Sequence, residues 1–145
     1  SDTEIGSAKV TTSTPVVIDL DNDGRDEALL SVNIHVYDEM NRRQLNNMLV
    51  SLNFKNNELT QLSETFQGSN ISTTPWIGDM DNDGLLDIVF CHATNTKRPY
   101  TFDGIRIHRL ATKIPIHSEI RWGSYMGSRY DGVFYEKPPP EKEGH

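Results

Sequence analysis

The sequence predicts an all-β fold, and three observations support this prediction. Apolar residues alternate with other residues over 28 to 36, ALLSVNIHV, and again at Met48, Val50, Leu52 and Phe54. Side chains of a strand point alternately to two faces, so a period of two is typical of strands. The third observation is an acidic string that occurs twice, each time between two strand-like segments.

The acidic string reads DLDNDGRDE from Asp19 to Glu27 and DMDNDGLLD from Asp79 to Asp87, 60 residues later. Carboxylates at positions 1, 3, 5 and 9 suit a hard cation, since Ca²⁺ takes about six to eight oxygens at about 2.3 to 2.6 Å. The glycine at position 6 is expected to turn the chain with a positive φ. We therefore predict two Ca²⁺ sites, with ligands from the side chains of Asp19, Asp21, Asp23, Glu27, Asp79, Asp81, Asp83 and Asp87 and the backbone carbonyls of Arg25 and Leu85.

Two other kinds of loop share parts of this pattern. An EF-hand shares the opening of the motif, but its loop closes with a glutamate at position 12, where this chain has Leu30 and Phe90. An ordinary Asp-Asn-Asp-Gly turn is the other alternative, because these residues favour turns for backbone reasons alone. Two copies with matching flanks favour the metal site.

Composition narrows the classes of protein further. The chain of 145 residues is the size of one domain, and its net charge of −7 comes largely from the acidic strings. Because nucleic-acid binding requires a basic surface, this acidity argues against a nucleic-acid partner. Because Cys91 is the single cysteine, an internal disulfide is excluded. No apolar run is as long as a transmembrane segment, which needs about 18 residues.

Permanently filled calcium sites suggest an exported protein, placed outside the cell, at the cell surface or in a secretory or periplasmic compartment. The chain begins at Ser1 with neither a methionine nor a signal sequence, so we expect a processed N-terminus or the boundary of a longer chain. Asn70 opens an Asn-Ile-Ser sequon and is a glycosylation acceptor if the source is eukaryotic.

The first repeat, residues 13 to 68, is expected to form four antiparallel strands, as in one blade of a β-propeller. The predicted strands cover residues 15 to 20, 28 to 36, 48 to 54 and 59 to 66, with turns at 38 to 43 and 55 to 58. A helix over residues 38 to 52 is the alternative, because Leu45, Met48, Leu49 and Leu52 also fit a helical spacing.

The second repeat, residues 69 to 136, follows the same plan less regularly. The predicted strands cover residues 76 to 80, 87 to 93, 104 to 110 and 116 to 122, and residues 123 to 135 are interpreted as the start of a further strand. Residues 1 to 12 are expected to end a preceding blade or to form an extension. The proline-rich residues 137 to 145 are expected to be a tail or linker.

Both acidic strings resemble the FG-GAP or VCBS-type repeat of integrin-like β-propellers, whose calcium loop reads D-x-D-x-D-G-x-x-D between the first two strands of a blade. The resemblance covers residues 14 to 32 and 74 to 92, and Glu27 departs from the usual aspartate. No Phe-Gly or Gly-Ala-Pro occurs, so the VCBS-like version fits better. The resemblance implies two four-stranded blades of an about seven-bladed propeller, with the remaining blades in a longer parent chain or in other subunits.

The resemblance also implies a function, a non-enzymatic module for extracellular adhesion or for protein or glycan recognition, with structural calcium. Recognition loops in such folds lie at the opposite end of the blade from the metal, here residues 38 to 43, 67 to 74 and 94 to 103. The expected contacts are Arg42, Arg43, Lys97, Arg98 and Tyr100, unless these loops are solvated turns. Trp122 and Tyr130 are expected either to stack on sugars or to pack between blades.

An enzymatic role is the alternative, as the propeller portion or a subunit of a polysaccharide-degrading enzyme or a quinone-dependent oxidoreductase. The sequence contains no G-x-S-x-G, H-E-x-x-H or phosphate-binding glycine motif. No glycosidase pair can be chosen among Asp103, Glu119 and Asp131 without geometry. Four histidines, His35, His92, His108 and His117, lie in or near the predicted strands and either gather as a site or fill ordinary positions.

Overall fold

The structure is a computed structural model that describes residues 10 to 37, 39 to 70, 73 to 97 and 103 to 134. Every regular element in these ranges is a β-strand, so the all-β prediction is confirmed. The helix considered over residues 38 to 52 is wrong, because a strand begins at Arg43. The strands are β1 (Val10–Thr12), β2 (Val16–Ile18), β3 (Glu27–Tyr37), β4 (Arg43–Asn53), β5 (Glu58–Gln61), β6 (Phe66–Gln67), β7 (Trp76–Gly78), β8 (Leu85–Ala93) and β9 (Ile105–Pro115).

The first sheet is an antiparallel meander in which six strands fill four positions. β3 and β4 pair along most of their length, from Ala28 opposite Leu52 to Tyr37 opposite Arg43. β1 and β2 follow one another along the free side of β3, and β5 and β6 follow one another along the free side of β4. β1, at the end of the segment predicted to close a preceding blade or to form an extension, thus pairs within this sheet.

The second sheet contains three strands among the described residues, in the order β7, β8, β9. The strand predicted over residues 116 to 122 does not form. Ile116 N–H still donates to the Gly84 carbonyl beside β8, but Trp122 forms an isolated bridge with Val17 of β2, in the first sheet. Described residues after Gly123 form turns rather than the further strand. The prediction of four strands in this sheet is therefore wrong for the described part of the chain.

The two sheets repeat one another at the level of residue pairing. In the first, Val16 pairs with Leu29 and Ile18 pairs with Glu27. In the second, Trp76 pairs with Val89 and Gly78 pairs with Asp87, the same pairs shifted by 60 residues. The sequence repeat is therefore also a repeat of hydrogen-bonded register around each acidic loop.

The core lies between the two sheets and shows how they stack. Val16, Leu29 and Leu49 of the first sheet form a buried cluster with residues of the second, including Ile88 and Phe90. Ile88 corresponds in register to Ala28 rather than to Leu29, so the sheets bring opposite faces together. The face of the first sheet that carries Leu29 packs against the face of the second sheet that carries Ile88. This arrangement, in which non-equivalent faces meet, is called same-sense stacking below.

Same-sense stacking leaves the second sheet with an uncovered outer face. Leu49 of the first sheet is opposite Ser31, and its counterpart in the second sheet is Ile107, opposite Cys91. Leu49 is completely buried, whereas Ile107 is 74% exposed. Its neighbour on this face, Ile105, is exposed as well.

The link between the sheets passes through a close backbone approach. Gly68 has φ +114°, and a Cβ there would lie 1.9 Å from the Ala93 carbonyl oxygen, so only glycine fits. Beyond it, the backbone of Asn70 exchanges two 2.6 Å hydrogen bonds with the side chain of Asn33. Asn70 is 2% exposed, and its side-chain oxygen accepts a bond from Thr73. In the folded chain, the predicted glycosylation acceptor is thus not accessible at the surface.

Candidate metal centres

Each acidic loop joins a short outer strand to the long central strand of its sheet, and the first aspartate organises it. The two Asp19 carboxylate oxygens accept backbone hydrogen bonds from Asp23 at 3.1 Å and from Gly24 at 2.8 Å. Asp79 accepts the same bonds from Asp83 and Gly84, at 3.0 and 2.8 Å. The first carboxylate therefore folds its loop around itself in both copies.

The acid at position 9 closes each loop from the start of the central strand. Glu27 accepts a 2.8 Å hydrogen bond from Leu20 N–H, and Asp87 accepts a 2.9 Å bond from Met80 N–H. Both acids are buried. The longer Glu27 thus makes the same contact in the first loop as Asp87 makes in the second.

The backbone turns with positive φ at two positions of each loop. Gly24 and Gly84, at position 6, have φ values of +85° and +81°, as the sequence predicted. The asparagines at position 4, Asn22 and Asn82, have φ values of 57° and 61°. Asparagine is one of the few residues other than glycine that occupies this region readily, which explains why it stands at the centre of both copies.

Three carboxylates converge in each loop. One oxygen each from Asp19, Asp21 and Glu27 lies within 4.8 Å of the other two, and the same is true of the second set, Asp79, Asp81 and Asp87. Two oxygens bound to one Ca²⁺ at about 2.3 to 2.6 Å lie no more than about 5 Å apart. The chemistry and spacing of these donors therefore fit a metal ion, and hard oxygen donors favour a cation such as Ca²⁺.

The aspartate at position 5 points elsewhere in this arrangement. Oδ1 of Asp23 accepts a hydrogen bond from Arg25 N–H at 3.0 Å, and Oδ1 of Asp83 accepts one from Leu85 N–H at 2.8 Å. Neither aspartate is among the three converging carboxylates. Ligation by position 5, and by the carbonyls of Arg25 and Leu85, stays a prediction.

The first loop has its basic partner at the rim. Lys55, in the turn after β4, lies with Nζ 2.8 Å from Oδ2 of Asp23. This bond lowers the pKa of Asp23 and raises the pKa of Lys55. At the centre, burial raises the pKa of Glu27; repulsion from neighbouring aspartates such as Asp21 adds to this, and the Leu20 N–H opposes it.

The second loop has a cation at its centre. Arg109 of β9 places Nε 2.9 Å from Oδ1 of Asp87 and Nη2 2.9 Å from Oδ2 of the same carboxylate. Nη2 also bonds to Oδ2 of Asp81. The guanidinium lowers the pKa of Asp87, and the two carboxylates raise the pKa of Arg109. The two loops thus share a backbone and differ in their electrostatics.

Sequence reasoning missed Arg109. The residue lies opposite Val89, on the face of the sheet that also carries Asp87, and this places its side chain diagonally across from the carboxylate. Only the pairing of β8 with β9 contains this information. A register prediction for these two strands would have found the contact.

The candidate recognition residues divide into two groups. Arg42, Arg43 and Lys97 are exposed at the ends of β3 and β8 remote from the acidic loops. Leu45 N–H of β4 donates to the Thr96 carbonyl there and joins β4 to the loop after β8. Arg98 and Tyr100 lie outside the described residues. Trp122 is half-buried beside Val17, and Tyr130 is exposed. Trp122 thus lies at the end of β3 nearer the acidic loop.

Two of the four singled-out histidines come together in the core between the sheets. The Nε2 atoms of His92 and His108 are 3.1 Å apart, and their rings stack with centroids 5.1 Å apart. Phe66 and Phe90 pack against the same rings. Burial lowers the pKa of His92. This pair is an aromatic stack within the core.

No family model, curated protein or solved structure matches the chain. Among the described residues, no helix has the length and apolar character needed to cross a membrane.

Proposed function

We propose that this chain is a calcium-binding segment of an integrin-like β-propeller, in which each ion stabilises the first hairpin of a blade. The observation that carries the proposal is the agreement between the two acidic loops. They have the same register, the same backbone hydrogen bonds and the same positive-φ positions, and each gathers carboxylates at positions 1, 3 and 9. Retaining this arrangement twice favours a shared ligand over two unrelated turns.

Electrostatics indicates what the ligand contributes. Three carboxylates held within 4.8 Å repel one another, and a buried carboxylate such as Glu27 is costly in its charged form. A divalent cation offsets both costs. Because Ca²⁺ would bind the folded loops and not the unfolded chain, a hundredfold excess over Kd stabilises by about 2.7 kcal/mol per site.

The outer face of the second sheet supports the segment part of the proposal. The corresponding face of the first sheet is covered by the second sheet, with Leu49 at its centre. On the second sheet, Ile105 and Ile107 occupy this face and are exposed. We propose that a further sheet, from a longer parent chain or another subunit, packs here.

In this proposal, calcium is structural and the module is not an enzyme. The loops at the other end of the sheets, which carry Arg42, Arg43 and Lys97, would contact a protein or glycan outside the cell. Separating the metal from the recognition surface lets the ions stabilise the scaffold without contacting the ligand. Exposed basic side chains in neighbouring loops support this assignment.

Calcium titration of the purified chain tests the proposal. Isothermal titration calorimetry of chelator-treated protein should show calcium binding, and the melting temperature should rise with calcium. The control is the double variant Asp21→Asn, Asp81→Asn, which removes one converging carboxylate from each cluster and should not respond. Equal melting curves for the parent chain in calcium and in excess chelator, without binding heat, would refute the calcium function.

A further inference from the structure

Arg109 occupies the second acidic cluster from a neighbouring strand. Its guanidinium donates to both oxygens of Asp87 and to Asp81, two of the three carboxylates that converge in this loop. A bidentate pair of this kind is a strong, oriented interaction. Two of the three carboxylates that would bind a metal ion are therefore already bonded to a cation that belongs to the protein.

The first cluster lacks this cation, and the repeat shows why. Arg109 is opposite Val89, and the residue in the corresponding place of the first sheet is Ser51, opposite Leu29. Serine is short and neutral. The cation that reaches the first loop is Lys55, and it bonds to Asp23, which is not one of the converging carboxylates.

Two consequences follow for a metal ion at the second cluster. Both oxygens of Asp87 accept from the guanidinium, so an ion that ligates this residue must share the carboxylate with Arg109 or displace one of its bonds. A guanidinium left beside the ion would also repel it. Arg109 has room to withdraw in this chain, because its side chain is 38% exposed.

We propose that Arg109 is a tethered competitor for Ca²⁺ at the second cluster, so that the two sites fill at different calcium concentrations. This inference rests on the proposed calcium function. The first site fills first, and the second fills only as Arg109 leaves. Filling the second site then releases a guanidinium onto the outer face of the second sheet.

Single-site variants of the full chain test this inference. Asp21→Asn disables the first cluster, so that calcium titration by calorimetry reports the second. In this background, Arg109→Ser, which copies the serine of the first sheet, should tighten calcium binding about tenfold, the equivalent of about 1.4 kcal/mol. Arg109→Lys, which keeps the charge but loses the bidentate geometry, should fall between the two. In the Asp81→Asn background, Arg109→Ser should leave the affinity of the first site unchanged.

A measurement without metal completes the test. In excess chelator, Arg109→Ser should melt below the parent chain, because the carboxylates lose their counter-charge. In saturating calcium, the difference should shrink or reverse. Arg109→Gln replaces the serine variant if the latter does not fold.

The outcomes separate the inference from the function on which it rests. If calcium binds but removing the guanidinium leaves the affinity of the second site unchanged or weaker, Arg109 is not a competitor, and the calcium function stands. If neither single-site variant binds calcium and the parent chain does not either, the calcium function itself is wrong.

Discussion

The two acidic loops have the same backbone and different charge environments. In the first, Glu27 is buried with a raised pKa, and the nearest cation, Lys55, bonds at the rim. In the second, Asp87 is buried with a lowered pKa beneath Arg109. The difference shows that the nine-residue motif determines the shape of the loop, whereas the strand across the sheet determines the charge that the loop experiences.

The same distinction holds for the sheets that carry the loops. The outer strand pairs with the central strand in the same register at each loop, yet the face that holds Leu49 is covered, and its equivalent with Ile107 is open. Equivalent residues in the two repeats are therefore matched controls for one another. The following predictions use them in order of decreasing expected effect.

The largest difference is expected between Leu49→Ala and Ile107→Ala. Removing the fully buried leucine side chain should cost about 2 to 5 kcal/mol of unfolding free energy, because it leaves a cavity between the sheets. Removing the exposed isoleucine side chain should cost about 0.5 kcal/mol or less. Urea unfolding of both variants measures the difference. A large cost at Ile107 would show that the outer face is covered in solution.

The glycines of the loops should behave alike. Gly24→Ala and Gly84→Ala should each cost about 1 to 2 kcal/mol, since φ near +80° strains an alanine although space for a Cβ is open at both positions. Substitution by asparagine, which tolerates this region, is the control and should cost less. Thermal melting checks both pairs. Unequal costs would mean that the loops are less alike than their hydrogen bonds indicate.

Neutralising the acid at position 9 should change the stability of the chain by different amounts in the two loops, in calcium-free buffer at pH 7. Asp87→Asn should lower the stability by about 1 kcal/mol, because Arg109 loses one of its two charged partners in a partly exposed pair. Glu27→Gln should change it by about 0.5 kcal/mol or less, since the buried charge is removed and the amide still accepts from Leu20. Chemical unfolding measures both. Equal losses would contradict the electrostatic difference between the loops.

The smallest effect concerns pH. Burial lowers the pKa of His92 in the folded chain, and repulsion from His108 and Arg106 acts in the same direction. Between the unfolded value of about 6.5 and the folded value, the unfolded chain binds more protons, so stability should fall as the pH drops below about 6.5. The slope from this one group cannot exceed about 1.4 kcal/mol per pH unit.

The first sheet supplies the matched variant for this pH effect. Val32 is the counterpart of His92, so His92→Val should make the free energy of unfolding less dependent on pH between 7.5 and 5.5. An unchanged slope in His92→Val would assign the pH dependence to other groups.

The predictions that succeeded rest on local chemistry. Position 6 requires a glycine-like φ, and alternation places the strands around the first loop, so Gly24, Gly84 and the core of β3 could be inferred from short stretches. The convergence of Asp19, Asp21 and Glu27 follows from the same local pattern.

What the sequence could not predict depends on contacts between distant segments. Residues 116 to 122 have apolar residues suited to a strand, but Ile116 and Ile120 pack on the core as an irregular segment. The Arg109 contact depends on the pairing of β8 with β9, which is irregular between Leu85 and Asp87. No pattern within a single strand contains the register of its neighbour.

The same-sense stacking of the two sheets has a consequence for assembly. A sheet that added to the outer face in the same way would present an equivalent face of its own to the next. Contacts of this heterologous kind are not self-limiting, unlike those of a twofold dimer, and they end when a ring closes or a different surface caps the series. In the proposed propeller, Ile105 and Ile107 would therefore lie on the face to which the next sheet adds.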